Sequence, residues 1–159
     1  MLIMIRINIP GVGEINLEHV VFDVNGTLAV DGKLLPGIPD QIKRLNEHLQ
    51  IHLLTADTHG KQNVIDQQLG LKAVMIQAGN EKEQKADYIQ QLGASQTVAV
   101  GQGANDALMI EAAQLGICVI SPEGTALDAL LKANLVVPDI LSAFDILINP
   151  IRLKASLRN

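Results

Sequence analysis

Aromatic residues are scarce in this sequence: its 159 residues include two Phe, one Tyr and no Trp. Because 48% of the residues are hydrophobic, the core must be aliphatic, built from Leu, Ile, Val and Ala. The single cysteine, Cys118, excludes an internal disulfide, and its apolar neighbours indicate a buried structural thiol.

No apolar run approaches membrane-spanning length, and Arg6 interrupts the short run at the N-terminus. We therefore expect neither a membrane span nor a secretory signal, and a cytoplasmic location.

Positively charged residues are also few: 12 Lys and Arg stand against 17 Asp and Glu, for a net charge of −5. This balance argues against a broad surface for nucleic acid or for an anionic membrane. The length fits one domain, so we treat residues 1–159 as a single domain that buries a core without covalent staples. The composition thus predicts a small, acidic globular domain with no nucleic-acid or membrane partner.

Strands and helices alternate along most of the chain. Apolar runs of high β propensity predict strands, and apolar residues at helical spacing, often ending at a Gly, predict helices. The predicted strands are residues 2–9, the run that ends at Asp23, 51–54, 73–76, 97–100, 117–120 and 135–137. The predicted helices are residues 38–49, 59–69, 81–92, 105–115 (closed by Gly116), 125–131 and 140–147. This alternation predicts a Rossmann-like, three-layer α/β/α fold with a mainly parallel sheet.

Turn signals predict two small hairpins and a loose end. Pro10-Gly11 begins a turn that folds residues 14–17 back on the first strand. Asp31-Gly32 is the tip of a small β-hairpin flap within residues 28–37, which is too short to be a second domain. Residues 153–159 are expected to form a basic, frayed tail.

Polar residues stand where the predicted strands end. Since the carboxyl ends of parallel strands meet at one edge of a sheet, a ligand site is expected there. These residues are Asp23, Asn25, Thr55, Asp57, Gln102, Asn105 and Asp106. Acid and amide groups beside a glycine-rich turn that opens a helix suit a phosphoryl group, and the carboxylates suit a hard cation such as Mg²⁺. Lys82 or Lys85, one helical turn apart, would balance the charge.

Two of these features have alternative interpretations. Asp23 ends a strand just before the turn at Gly26, so its carboxylate either serves chemistry or caps that turn. Gly101-Gln102-Gly103 also suggests a dinucleotide site, but Asp106 stands where the third glycine of that pattern belongs, and no Walker phosphate loop occurs. The phosphoryl interpretation is therefore preferred to the dinucleotide one.

Four stretches resemble, in the right order, the motifs of the haloacid dehalogenase superfamily, and within it proteins similar to the phosphorylation domain of P-type ATPases. Residues 22–28, Phe-Asp-Val-Asn-Gly-Thr-Leu, are similar to the nucleophile motif. Residues 53–57 resemble the second motif, and Lys85 matches the motif lysine better than Lys82. Residues 100–107 resemble the last motif, whose usual form is Gly-Asp-Gly-x-Asn-Asp-Ala. The resemblance implies a phosphohydrolase of this superfamily without a cap domain.

The resemblance also implies a mechanism. Asp23 would attack phosphorus and become an aspartyl phosphate, while Thr55 and Lys85 would hold the phosphoryl oxygens. The implied catalytic residues are Asp23, Asn25, Thr55 and Lys85. The implied phosphate-binding residues are Asp23, Gly26, Thr27, Thr55, Ala56, Lys85 and Asn105. The implied ligands of Mg²⁺ are Asp23, the Asn25 backbone carbonyl, Gln102 and Asp106. Water would then release phosphate.

Two residues depart from the family pattern. Asn25 stands where family phosphatases have the Asp that protonates the leaving group, which an amide cannot do. Gln102 stands where the family has an Asp that binds Mg²⁺ directly, and a neutral amide is a poorer ligand for a hard cation. These departures predict a slow or impaired hydrolase of phosphoric monoesters or acyl phosphates, with weakly bound Mg²⁺ and a long-lived phosphoenzyme.

A function of a different class is a catalytically degenerate module that keeps the fold to bind phosphate or another protein. The two substitutions favour it, whereas the retention of Asp23, Thr55, Lys85 and Asp106 disfavours it. A two-component receiver domain fits poorly, because the acidic pair that should precede its acceptor Asp is missing. Without a cap the site would be open, which the resemblance associates with large substrates or with closure by a neighbouring subunit in a homo-oligomer. The expected partners are a small phosphorylated substrate or a phosphoprotein.

Overall fold

The computed structural model describes residues 3–57 and 60–159, which form ten strands and seven α-helices. The strands are β1 (Ile5–Ile9), β2 (Gly13–Leu17), β3 (His19–Asp23), β4 (Ala29–Val30), β5 (Lys33–Leu34), β6 (Gln50–Thr55), β7 (Val74–Met75), β8 (Thr97–Gly101), β9 (Leu115–Val119) and β10 (Leu135–Val137). The helices are α1 (Ile38–Leu45), α2 (Gln62–Leu69), α3 (Glu81–Leu92), α4 (Ala107–Ala112), α5 (Leu127–Lys132), α6 (Ile140–Ile148) and α7 (Ile151–Leu157). Within these described ranges no helix is long and apolar enough to cross a bilayer.

Six of the strands form one sheet in which every neighbouring pair is parallel. Their order is β10-β9-β8-β3-β6-β7. The chain runs outward from β3 through β6 to β7, then returns to add β8, β9 and β10 on the other side of β3. Such a reversal opens a crevice at the carboxyl ends of β3 and β8, and Asp23 is the last residue of β3. The predicted α/β fold with a mainly parallel sheet is confirmed.

Helices cover both faces of this sheet, so successive strand residues enter two separate cores. Phe22 belongs to a core shared with α1, α2, α6 and α7, and its ring stacks on that of Phe144 with 5.0 Å between centroids. Val21 and Cys118 belong to the core on the other face, shared with α3, α4 and α5. Both cores are overwhelmingly aliphatic, and Cys118 is a buried free thiol, as the composition predicts.

Both predicted hairpins lie outside the main sheet. β1 pairs with β2 and β4 pairs with β5, in each case antiparallel. The turn residues of the flap, Asp31 and Gly32, have φ angles of 52° and 77°. A turn with positive φ at both central residues is the tight hairpin turn that an Asp-Gly pair favours. Only residues 24–37, which include this flap, separate β3 from α1, so no cap domain is inserted there.

The helix predicted over residues 105–115 needs correction. Residues 104–106 form a 3₁₀ turn, α4 follows it, and β9 already begins at Leu115. Gly116 is therefore a strand residue and not a helix cap. A Cβ atom at this position would overlap the carbonyl oxygen of Ile110, so the glycine lets α4 pack closely on β9.

The frayed tail predicted over residues 153–159 is also wrong. These residues belong largely to α7, which packs against β1. Leu153 is buried in the core, and the backbone N–H of Asn159 donates to the carbonyl oxygen of Pro10 at 3.1 Å. Two basic residues, Lys154 and Arg158, suggested an exposed tail, whereas the buried side chain of Leu153 and the hydrogen bond to the first hairpin hold the segment against the domain.

The other predicted boundaries differ from the observed ones by a few residues. The strand predicted over residues 73–76 is reduced to the two residues of β7, both exposed at the edge of the sheet. α2 begins at Gln62 rather than at residue 59. Residues 1, 2, 58 and 59 lie outside the described residues, and with them the starts of the strand predicted from residue 2 and the helix predicted from His59.

Candidate active site

A buried ammonium group joins two carboxylates at the carboxyl edge of the sheet. Lys85 Nζ, on α3, lies 2.9 Å from Asp23 Oδ1 and 2.8 Å from Asp106 Oδ1. The side chains of Lys85, Asp23 and Asp106 are 1%, 7% and 0% exposed. When all three are ionised they carry one net negative charge, and charges are kept in such surroundings only when they are paired. The triad therefore ties β3, α3 and the turn after β8 together at the reversal of the sheet.

The turn after β3 orients Asp23. The backbone N–H groups of residues 27–29 all donate to the carbonyl oxygen of Val24, at 3.0–3.2 Å. Thr27 Oγ1 donates to Asp23 Oδ2 at 3.1 Å, while Oδ1 binds Lys85. Both partners are side chains, whereas a carboxylate that capped the turn would accept from backbone N–H groups. The carboxylate is thus held in one orientation before a substrate arrives, which favours the chemical interpretation of Asp23.

Asp106 is held by three donors. Its Oδ2 accepts from the backbone N–H groups of Gln102 at 3.0 Å and Gly103 at 2.9 Å, and its Oδ1 accepts from Lys85. The residue is fully buried. These three hydrogen bonds leave about one lone-pair position, on Oδ1, for a cation. Asp106 therefore positions Lys85 and closes the glycine-rich turn.

Thr55 ends β6 beside the same crevice. Its Oγ1 accepts from Asn25 Nδ2 at 3.0 Å and from the backbone N–H of Asp57 at 2.9 Å. With two donors on its oxygen, the hydroxyl still has its own proton to donate to a phosphoryl oxygen. The side chain of Asp57 is engaged elsewhere: its Oδ1 accepts from the backbone N–H of Gln62 at the start of α2. Asp57 is therefore a structural residue of the β6–α2 connection.

A cavity of about 210 Å³ opens beside Asp23 at this edge. The residues that line it are Asp23, Asn25, Ala56, Lys85, Gln102, Gly103, Asn105 and Glu123. The fold thus brings together most of the residues implied for catalysis and phosphate binding. The others lie directly behind the lining: Thr27, Thr55 and Asp106 through the hydrogen bonds above, and Gly26 against the side-chain amide of Gln102.

Two lysines were candidates for the site, and the structure separates them. Lys82 Nζ binds Asp128 at 3.1 Å in an ion pair whose side chains are 40% and 50% exposed. Lys85 is the lysine of the buried triad.

Glu123 is a lining residue that the motif patterns missed. It follows β9, so the rule that parallel strands end at one edge was the signal that could have found it.

Burial and the charge of Asp106 raise the pKa of Asp23 from 3.8 to about 7, although the Lys85 ammonium opposes the rise. Burial alone would lower the pKa of Lys85, but the two carboxylates outweigh burial and raise it. Lys85 therefore stays charged, whereas Asp23 takes up a proton near neutral pH. A divalent cation beside Asp23 would offset the charge of Asp106 and favour the ionised, nucleophilic carboxylate.

In the absence of divalent cations, we expect Asp23 to destabilise the protein as the pH rises from about 5 to about 8. The pKa of Asp23 is about 7 in the folded state and near its ordinary value of 3.8 in the unfolded chain. The folded state therefore binds more protons in this range, and the stabilisation that is complete below about pH 4 is lost as the pH rises through about 7. The expected change is on the order of 3 kcal/mol, or roughly 6–12 °C in Tm.

Thermal unfolding in EDTA, with the Asp23→Asn variant alongside, measures this effect. Asn cannot titrate, so the Tm of the variant relative to wild type should increase with pH. A difference in Tm that stays constant between about pH 5 and about pH 8 would contradict the raised pKa.

Replacing Lys85 by Met is expected to lower the free energy of unfolding by about 3–5 kcal/mol, because two buried carboxylates lose the ammonium between them. The matched control is Lys82→Met, whose exposed ion pair with Asp128 contributes at most about 1 kcal/mol. Urea unfolding of both variants at neutral pH makes the comparison. Equal losses in the two variants would show that the triad contributes no more than a surface ion pair.

The oxygens around the cavity suit a hard cation. Among residues 3–57 and 60–159, no three His, Cys, Asp or Glu side chains converge on a point where they could hold a metal ion. The lining does include carboxylates from Asp23 and Glu123 and amide oxygens from Asn25, Gln102 and Asn105. Mg²⁺ commonly binds through one or two carboxylates and keeps several waters. The residues present therefore fit an open, largely hydrated Mg²⁺ site.

Comparison with known proteins agrees with this chemistry. The family model for haloacid dehalogenase-like hydrolases matches residues 16–114. A copper-exporting P-type ATPase of Vibrio cholerae is 30% identical over 141 residues, which are 86% of this chain and only 14% of the ATPase. The part of that transporter that matches this chain is therefore small, and it contains the phosphorylation domain.

Solved structures of two phosphatases share the fold. The cobalt-bound form of the deoxy-D-mannose-octulosonate 8-phosphate phosphatase of Haemophilus influenzae has a TM-score of 0.69 at 18% identity, over 90% of this chain and 94% of that one. The 3-deoxy-D-manno-octulosonate 8-phosphate phosphatase of Moraxella catarrhalis, solved with magnesium, phosphate and its sugar acid, has a TM-score of 0.65 at 15% identity, over 88% and 90%. At these identities the likeness is one of fold.

Proposed function

This chain belongs to the haloacid dehalogenase-like hydrolase family, and we propose that it is a Mg²⁺-dependent phosphohydrolase that works through an aspartyl phosphate on Asp23. The observation that carries the proposal is the buried contact of Lys85 with Asp23 and Asp106 beside an open cavity. Apolar side chains of similar volume would stabilise the fold at least as well. Buried ionisable groups whose pKa values are shifted by burial and by their charged neighbours, beside an open cavity, are instead typical of functional sites.

In the first step, a carboxylate oxygen of Asp23 forms a bond to phosphorus, and the bond from phosphorus to the leaving-group oxygen breaks. Lys85 and the hydroxyl of Thr55 would bind the phosphoryl oxygens. Mg²⁺, held by Asp23, the Asn25 backbone carbonyl and Gln102, would supply positive charge that keeps Asp23 ionised and offsets the phosphoryl charge. Asp106 lies behind Lys85 and the turn after β8 and would act on this site through these groups, which it orients.

In the second step, water forms a bond to phosphorus, the bond to Asp23 breaks, and the carboxylate is restored as phosphate leaves with the protons of the water. Asn25 limits both steps. It lines the cavity and donates to Thr55, and its amide neither protonates a leaving group nor accepts a proton from water. Leaving groups must depart as anions or take a proton from solvent. Acyl phosphates should therefore react faster than alkyl esters, and the phosphoenzyme should be long-lived.

The proposed substrates are small phosphorylated molecules. The structural neighbours from Haemophilus and Moraxella are phosphatases of a phosphorylated sugar acid by name, and both were solved with a divalent cation. The cavity of this chain is small, polar and reached without passing a cap. These features support a compact phosphate ester or acyl phosphate as the ligand.

Phosphate release from acetyl phosphate and from p-nitrophenyl phosphate, each with and without Mg²⁺, tests the proposal. We expect release that depends on Mg²⁺ and is faster from acetyl phosphate. Release no greater than the spontaneous hydrolysis of both compounds would contradict it. The remaining candidate would then be a module that binds phosphate or a protein without turnover, which the neutral amides of Asn25 and Gln102 in the cavity lining favour.

A further inference from the structure

The loop that follows β9 is fixed to both sides of the cavity. Ser121, which is buried, donates from its Oγ to the carbonyl oxygen of Gly26 at 2.5 Å. Gln102 Nε2 donates to the carbonyl oxygen of Gly124 at 3.3 Å. The first contact reaches the turn that carries Asp23, and the second reaches the glycine-rich turn after β8. The loop therefore has a set position relative to the residues implied to bind a cation.

Within this loop a tight turn places Glu123 at the cavity. The backbone N–H of Glu123 donates to Ser121 Oγ at 3.1 Å, and that of Gly124 donates to the carbonyl oxygen of Ser121 at 2.9 Å. Glu123 then lines the same cavity as Asp23 and Gln102. Its side chain is exposed and adds a carboxylate to the cavity from the side of β9.

The cation site is otherwise short of negative charge. Asp106 is fully buried and uses both oxygens on Lys85 and on the turn after β8. Gln102 is neutral, and because its nitrogen binds Gly124, its amide oxygen is the group that remains for a cation. The carboxylates that line the cavity are those of Asp23 and Glu123, so a hard cation there would meet Asp23 as its one charged ligand unless Glu123 contributes a second.

We propose that the carboxylate of Glu123 binds the divalent cation of this site and replaces the acid that Gln102 does not provide. The inference rests on the proposed function, because it concerns the same Mg²⁺ site. It assigns the second negative charge to a loop after β9 rather than to the glycine-rich turn after β8. It also gives a role to the hydrogen bonds that fix this loop to Gly26 and Gln102.

Binding of Mn²⁺, measured by electron paramagnetic resonance of the free ion and without any substrate, tests this role directly. Glu123→Gln should weaken Mn²⁺ binding by about 10–100-fold. Adding Gln102→Asp to Glu123→Gln should restore most of the affinity, because it returns a carboxylate to the other side of the same cavity. The matched control is Glu47→Gln, an exposed acid just after α1 at the opposite end of the sheet, which should leave Mn²⁺ binding unchanged.

The outcomes separate this inference from the proposed function. If wild type and Glu123→Gln bind Mn²⁺ equally while Asp23→Asn does not bind it, the role of Glu123 is wrong and the proposed function stands. If Glu123→Gln keeps its Mn²⁺ affinity but loses activity on an alkyl phosphate while keeping it on acetyl phosphate, Glu123 is a proton donor and the inference is again wrong. If wild type binds no Mn²⁺ at millimolar concentration, the inference and the metal dependence of the proposed function both fall.

Discussion

The Asp23→Asn variant is expected to release phosphate at the spontaneous rate, a loss of roughly 10⁴-fold or more relative to wild type. An amide does not attack phosphorus, so the covalent step cannot begin. Intact-mass spectrometry gives a second measure of the same step. Wild type incubated with acetyl phosphate and Mg²⁺ should gain the mass of one phosphoryl group that hydroxylamine removes, whereas the variant should gain none.

The loss should not come from unfolding. Asn has nearly the shape of Asp: its amide oxygen can still accept from Lys85, and its amide nitrogen can donate to Thr27 Oγ1, while the buried triad loses its excess negative charge. Near neutral pH the variant should therefore be at least as stable as wild type. Asp87→Asn, at an exposed position of the same helix α3, is the control and should keep full activity. A phosphoryl group found on the Asp23→Asn protein would show that another residue is the nucleophile.

Replacing Asn25 by Asp is expected to raise kcat/KM for alkyl phosphates by about 10²–10³-fold, because a positioned general acid usually contributes that much. Asn25 already lines the cavity beside Asp23, and Thr55 Oγ1, which now accepts from its amide, can donate to a carboxylate instead. The neighbouring carboxylate of Asp23 would raise the pKa of the new acid and keep part of it protonated near neutral pH.

The pattern across substrates identifies the cause of such a gain. Acetyl phosphate has a leaving group that is stable as an anion. The rate at which it forms the phosphoenzyme should therefore be nearly the same in Asn25→Asp as in wild type. Asn105→Asp adds the same charge to the same cavity, but Asn105 Nδ2 donates to Glu81 at 2.8 Å, and a carboxylate there would repel Glu81. This control should lose activity on both substrates. An equal rise on both substrates in Asn25→Asp would contradict general-acid catalysis and indicate tighter binding of the cation.

The predictions from sequence succeeded where short stretches carry the signal. α3 and β10 have the bounds that were predicted, and the flap lies within the predicted residues 28–37, because helical spacing, β propensity and the Asp-Gly turn act over a few residues. The strand that ends at Asp23 and the parallel alternation predicted that the polar residues at the strand ends would meet at one edge of the sheet, and the structure brings most of them together there. The errors came from distant contacts. Gly116 follows a helical pattern, and only the approach of Ile110 shows why a glycine is needed in β9.

The sequence by itself determined the fold class, the order of the elements and the residues at the strand ends, because hydrophobic periodicity and turn chemistry are local properties. Tertiary structure alone decided that Lys85 meets both Asp23 and Asp106 in one buried triad and that both oxygens of Asp106 are engaged. It also brought Glu123 to the cavity. These outcomes depend on which side chains lose water together when distant segments pack, and charge pairing in a buried site is set by that packing rather than by spacing along the chain.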